Sequence, residues 1–164
     1  MIFLAVLIAL NIVITRFLSI STPIFRISFT FLTIVCPAIL FGPVEAAIVG
    51  GLGDLLGALL FPSGPFFPGF TLTAVLTGLV FGFFLHKKQT ILRIVLSSAI
   101  VEFILGLLLN TLWIHLLYGK AFLAILPTRL IQAVGMFVVQ VLLIFFVNEV
   151  LFKRVRSIVK EGRE

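Results

Sequence analysis

The sequence predicts an all-α integral membrane protein, a single bundle of about six transmembrane helices with both termini in the cytoplasm and a ligand cavity facing outward. Three observations lead there. Of 164 residues, 62% are hydrophobic and only 11% charged, against roughly a quarter charged in an ordinary soluble domain. A water-soluble fold of this size has too much surface for its volume to hide that many apolar side chains, so lipid must solvate most of them. The apolar residues fall in six runs, at 1–19, 27–42, 44–61, 69–86, 91–117 and 123–152. The basic residues flank these runs, which is the pattern of membrane topology. A nucleic-acid-binding surface would instead gather them on one wet face.

The first run, 1–19, lacks a basic segment after Met1 and a small-residue cleavage site after Ile20, so it reads as a retained helix and not as a signal peptide. Ala5 and Ala9 lie four apart on one face of it and admit the close approach of another helix. The second run contains Pro37 and is followed by Pro43; a proline at membrane depth requires neighbours that re-satisfy the freed carbonyls, so this helix should be kinked and packed inward. Its one cysteine, Cys36, has no possible internal disulfide partner and reads as a buried, inert thiol. The third run holds Gly51-x-Gly53-x-x-x-Gly57, whose spacing fails the dinucleotide fingerprint and which no strand precedes. Gly53 with Gly57, and Gly78 with Gly82 in the fourth run, read as small-residue packing faces.

Counting Lys and Arg orients the bundle. Lys87, Lys88 and Arg93, with Lys153, Arg154, Arg156, Lys160 and Arg163 of the tail, put eight on one side; Arg16, Arg26, Lys120 and Arg129 put four on the other. The richer side should be cytoplasmic, which makes 19–27, 61–69 and 117–127 the outward loops. Residues 1–152 read as one membrane-embedded substrate-binding domain and 153–164 as a basic cytoplasmic tail at the anionic inner leaflet.

The candidate binding residues collect on the outward side. Phe61 to Thr71 contains three prolines, two glycines and four phenylalanines and reads as a shaped loop. Its rings, Phe67 and Phe70 among them, can anchor at the interface or stack on a flat ring ligand; proline stiffening favours a loop organised before it closes on a ligand. Arg26 and Arg129 offer guanidinium forks for carboxylates, and Arg129 is expected at the head of the last helix, where free N–H groups attract anions. Asp54 and Glu102 lie mid-span, where a carboxylate costs about 2.5–3.5 kcal/mol on insertion scales and so needs a partner or a purpose. Asp54 can pair with an arginine, cap a backbone break or accept from an amino-heterocycle. Asn110, Trp113, His115 and Gln132 occupy the outer halves of the last two helices, as cavity lining or as interhelical hydrogen bonds.

Enzymatic motifs are missing. There is no G-x-x-x-x-G-K-[ST] phosphate loop, no H-E-x-x-H, no cysteine cluster for zinc and no G-x-S-x-G; no metal or cofactor is expected. No inverted repeat of the kind many secondary transporters carry is visible either. A chain that binds a solute without an energy source of its own needs a partner.

The residues resemble a known family. Ala5-x-x-x-Ala9, the length and the six runs are similar to the S components of energy-coupling factor (ECF) vitamin importers. Asn11 to Ile20 (NIVITRFLSI), Arg26 in FRISF, and Leu55 to Leu79 (LLGALLFPSGPFFPGFTLTAVLTGL) resemble the folate-specific branch. The resemblance spans nearly the whole chain and is densest over 11–85. It implies a bacterial plasma-membrane protein that binds folate and works with a transmembrane coupling subunit and two cytosolic ATPases. It further implies that the coupling subunit docks on Ala5 and Ala9, that loops around Thr22–Arg26 and Ser63–Phe70 lid the cavity, and that the subunit topples in the membrane to deliver its vitamin. Phe67 and Phe70 would stack on an aromatic part of folate and Asp54 would accept from its pterin. Arg26 and Arg129 would serve its carboxylates or carbonyl, with Thr71, Asn110 and Gln132 lining the site. The alternatives are an S component for thiamine, pantothenate or a related heterocycle, and a stand-alone secondary transporter.

Overall fold

The computed structural model describes residues 2–17, 20–21, 26–27, 29–61, 66–119 and 122–149. The tail 153–164 and Lys120 lie outside them, as do the side chains of Arg16 and Arg26. The helices are α1 (Ile2–Phe17), α2 (Thr30–Leu40), α3 (Pro43–Leu60), α4 (Pro68–Leu85), α5 (Ile91–Ala99), α6 (Asn110–Tyr118) and α7 (Phe122–Val147). A π-helical segment, Ile100–Leu109, joins α5 to α6 in one continuous rod, so the seven α-helices form six rods, the number the apolar runs predict. Between α1 and α2, β1 (Ile20–Ser21) and β2 (Arg26–Ile27) pair antiparallel, Ile20 opposite Ile27 and Ser21 opposite Arg26.

Four of the rods are long and apolar enough to cross a membrane: Pro43–Leu60, Pro68–Leu85, Ile91–Leu117 and Leu126–Val147. The apolar parts of α1 and α2, Leu4–Thr15 and Thr30–Leu40, are shorter. With 11 residues, α2 is about 16 Å long and falls well short of a hydrocarbon core of about 30 Å. The second run therefore does not form the helix over 27–42 that the sequence suggests. Ile27 is drawn off into the ribbon beside Arg26, and Pro43 opens the next helix.

The side chains are distributed as lipid demands. Phe83 is 71% and Leu142 63% exposed, while Asn11, Thr33, Thr73, Thr77, Ser97, Ser98, Thr111 and Gln140 are buried. Phe31, Ile34, Val35, Ala38 and Ile39 of α2 pack with Ala46, Phe81, Leu85 and Ile94 in the core. Pro37 is buried among them, and its carbonyl accepts from both Phe41 N (2.9 Å) and Gly42 N (3.1 Å) to close the helix. Gly42, at φ 122°, turns the chain directly into α3, a conformation that a side chain would strain.

The most intimate pairing is α3 with α4. A Cβ on Gly78 would lie within 2.4 Å of the Ala46 carbonyl oxygen, one on Gly82 within 2.1 Å of Pro43 Cα, and one on Gly50 within 2.6 Å of the Ala74 carbonyl oxygen. Gly78 and Gly82 thus serve as the packing face expected of them, and Gly53 does the same toward α1, where its Cβ would meet Asn11 Oδ1 at 2.5 Å. Asn11 in turn donates from Nδ2 to Thr33 Oγ1 (2.7 Å), and Thr33 Oγ1 donates to the Thr30 carbonyl (2.6 Å). Thr15 and Thr30 share a hydroxyl hydrogen bond of 2.9 Å. This network fastens α1 to α2 where water is excluded and an unmade bond is expensive.

Contacts identify the two ends. At one end, Thr71 near the start of α4 bonds to Asp54 of α3, Trp113 of α6 bonds to Thr73 of α4, and Thr15 near the end of α1 bonds to Thr30 at the start of α2. At the other, Gly42 lies against the His86 ring, Arg93 Nη1 donates to the Phe84 carbonyl at 3.4 Å, and Asn148 Nδ2 donates to the Gln89 carbonyl at 3.5 Å.

Gly78→Ala, which sets a methyl against backbone atoms that cannot swing away, is expected to destabilise the fold by about 1–3 kcal/mol. Thermal unfolding in detergent should show a lowered midpoint, and Ala74→Gly as a partner change should recover little of it because the clash is with Ala46.

Candidate functional site

The end that carries the predicted binding residues is built from the start of α4. Pro68 occupies the first helical position, where a missing N–H is harmless and the fixed φ suits a helix. Pro68 to Thr71 is consequently helical, and the irregular stretch stops at Phe67; the sequence reading of the whole of 61–71 as loop is corrected at this point. Residues 62–65 lie outside the described residues.

Phe67 lies at the centre of an aromatic cluster. Its ring centroid is 6.1 Å from that of Phe70, edge to face at 75°, and 5.6 Å from that of Trp113, tilted by 48°. Such geometries suit the ring quadrupoles. Gly69 makes the arrangement possible, since a Cβ there would fall 2.5 Å from Phe67 Cε1 and 2.6 Å from Trp113 Cδ2. Trp113 Nε1 donates to Thr73 Oγ1 at 3.0 Å, and Thr73 Oγ1 donates to the Gly69 carbonyl at 3.1 Å. The indole of α6 is therefore held to α4 by a two-step relay, with all three rings half-buried.

Beside this cluster, Thr71 Oγ1 donates to Asp54 Oδ2 at 2.9 Å across the α3–α4 seam. Of the roles open to Asp54, this is a hydroxyl partner that leaves carboxylate acceptor capacity over, since an ionised carboxylate offers about four lone-pair sites. Asn110 Oδ1 is buried with no hydrogen-bond partner, on the same helical rod as Trp113 and three residues before it.

The remaining candidates divide. Arg26 contributes backbone to β2 opposite Ser21, and its side chain is outside the described residues. Arg129 does not stand in the first turn of the last helix: α7 begins at Phe122, seven residues earlier, and contains Pro127. The argument from free helix-terminal N–H groups, which fade after the first turn, does not apply to it. Arg129, Gln132 and His115 are each engaged within the fold. Glu102 accepts from Gln140 Nε2 at 2.8 Å, away from the aromatic cluster. Ala5 and Ala9 are exposed, on the side of α1 opposite its buried residues Leu7 and Asn11.

Sequence reasoning missed Thr73, Thr77, Asn11 and Gln140. Thr73 and Thr77, four apart in an apolar helix, were the available signal: a repeated hydroxyl on one helical face at membrane depth needs an interior to point into.

The chain is a bundle of apolar-surfaced, membrane-type helices with a cluster of aromatic and polar side chains at one end. The family model for the ECF-type riboflavin transporter S component matches residues 1–153, and the chain belongs to this family of ECF transporter S components. Similar curated proteins include the folate transporter FolT of Clostridium novyi (strain NT), 42% identical over 88% of this chain and 85% of that protein. The folate transporter FolT of Leuconostoc mesenteroides subsp. mesenteroides is 32% identical over 94% of this chain and 88% of that one. A crystal structure of FolT bound with folic acid superposes with a TM-score of 0.84 at 36% identity, covering 90% of this chain and 91% of that one. The family model carries the name of one vitamin and the individual relatives that of another. Fold and ligand separate within one scaffold, so the ligand has to be argued from the site.

Trp113 is the sole tryptophan and reports on the cluster. Gly69→Ala should drive Phe67 and the indole apart, break the bond to Thr73 and red-shift the intrinsic emission, whereas Leu72→Ala on the exposed side of α4 should leave the spectrum unchanged.

Proposed function

We propose that this chain is the folate-capturing S component of an ECF-type importer in a bacterial plasma membrane. The aromatic end faces outward, as the Lys and Arg distribution favours, and both termini lie in the cytoplasm. The observation that carries the reading is the juxtaposition of the Phe67, Phe70 and Trp113 rings with the Asp54–Thr71 pair, in a chain 42% identical to a folate transporter.

Folate presents a flat aminopterin, an aminobenzoyl spacer and a dicarboxylate tail. Phe67 and Phe70 stack on an aromatic part of it. The spare acceptor sites of Asp54 take the pterin amino group and ring N–H, a pairing that needs two acceptors side by side. Arg26 and Arg129 serve the glutamyl carboxylates or the pterin carbonyl, and Asn110, Gln132 and Thr71 line the site. Binding raises no need for catalysis, cofactor or metal. Delivery depends on partners: the exposed Ala5–Ala9 face receives the transmembrane coupling subunit, the bound S component topples to expose its vitamin inside, and two cytosolic ATPases reset the complex.

Arg26→Ala should weaken folate binding at least tenfold, about 1.4 kcal/mol, in a titration of the purified protein followed by quenching of Trp113. Near-wild-type affinity would refute the assignment of Arg26. In liposomes, the chain alone should bind folate without accumulating it, and uptake should appear only with the coupling subunit, both ATPases and ATP. Gradient-driven accumulation by the chain alone would support a secondary transporter instead.

A further inference from the structure

The contact between Glu102 of the π-helical segment and Gln140 of α7 is a second feature, one that folate capture does not use. Ser98, Glu102, Gly106 and Asn110 recur every four residues along an otherwise apolar stretch, a spacing that keeps them on one side of the rod. A Cβ on Gly106 would lie 3.4 Å from Glu102 Oε2, and Glu102 Oε1 accepts from Gln140 Nε2 of α7 at 2.8 Å. The other atom of that same amide, Gln140 Oε1, is buried without a hydrogen-bond partner, and Gln140 itself is 2% exposed.

An ionised Glu102 would leave two acceptors facing one amide. The carboxylate would hold a single neutral N–H donor at membrane depth, and Gln140 Oε1 would be stranded; each is costly without water. One proton removes both difficulties. A carboxylic acid and a primary amide complement one another: the amide N–H donates to the acid carbonyl, and the acid O–H donates to the amide carbonyl. The first of these bonds is present, and the atom left over is the acceptor that the second requires.

We propose that Glu102 and Gln140 form a buried proton-binding site, in which Glu102 is held as the neutral acid and its Oε2–H donates to Gln140 Oε1. The closed pair clamps the π-helical segment to α7 and leaves no net charge in mid-membrane. The elements packed against the segment are α4, α5, α6 and α7. Among their described residues α4 has no titratable group. Arg93 on α5 lies nine residues from Glu102, and His115 and Tyr118 on α6 lie thirteen and sixteen away; Arg129 on α7 is eleven residues from Gln140. Each of these separations is on the order of 12 Å or more, too far to neutralise the carboxylate as a contact partner.

The test is infrared spectroscopy of the full chain in lipid at neutral pH. A protonated-carboxyl stretch that shifts in deuterium oxide should be present, should vanish in Glu102→Gln and should persist in Asp54→Asn. Gln140→Met, which removes the acceptor, should move the band to higher frequency. Because Glu102→Gln can still pair amide to amide, it should fold and keep its melting temperature. Absence of the band in the wild-type protein would overturn the proposal and leave Gln140 Oε1 to a buried water or to the Ser98 hydroxyl. A band that survives in Glu102→Gln would overturn it equally.

Discussion

The close approach of α3 and α4 is the contact on which the arrangement of the rest depends. Neither helix could come so near its neighbour with side chains at Gly50, Gly78 and Gly82, because the opposing atoms are backbone. In lipid, helices gain little from hiding apolar surface from one another, so van der Waals contact and interhelical hydrogen bonds must hold them together. Small residues deliver the first by letting two backbones meet. The second follows from it, since only at that separation does Thr71 reach Asp54. The same seam sets where α4 begins, and with it the positions of Phe67, Gly69 and Phe70. Trp113 is then bonded to Thr73 from across the bundle.

The bundle is apolar outside to a degree that only membrane burial permits, and a smaller set of polar groups is enclosed within its apolar core. Its interior polar groups fall into separate networks with separate tasks. Asn11, Thr15, Thr30 and Thr33 tie α1 to α2, and Thr73 with Trp113 ties α4 to α6. Glu102 with Gln140 ties the π-helical segment to α7. Each is a point where a missing partner would be expensive, and together they specify which helix sits beside which. The aromatic end is then a by-product of packing in one sense, because its rings are placed by residues whose own roles are structural.

Much of this was legible in the amino-acid sequence, because hydrophobicity is a property of single residues summed along the chain. The six rods, the glycine faces at Gly53, Gly78 and Gly82, and the gathering of Phe67, Phe70 and Asp54 at one end all follow from local pattern. What escaped depends on tertiary context. The ribbon of two paired two-residue strands shortens α2 from its amino end, and strands so short carry no alternating pattern that would mark them in the sequence. The π-helical turn in Ile100–Leu109 has no compositional signature. Arg129 was misplaced relative to its helix terminus, because α7 begins at Phe122, seven residues before it. The partnering of Gln140 with Glu102 joins residues 38 apart, and only the fold brings them together.

The family name of a scaffold and the ligand of one member are separate matters, and this chain illustrates why. A riboflavin-named family model covers residues 1–153, while individual relatives over almost the same span are folate transporters. The helices and their glycine contacts belong to the scaffold; in the proposed function, the rings at 67, 70 and 113 and the carboxylate at 54 are what the vitamin touches. The direct measurement is native mass spectrometry of the intact chain extracted gently from membranes of cells supplied with a mixture of vitamins. The account predicts one small-molecule adduct with the mass of folate. An adduct with the mass of riboflavin or of any other vitamin would contradict it.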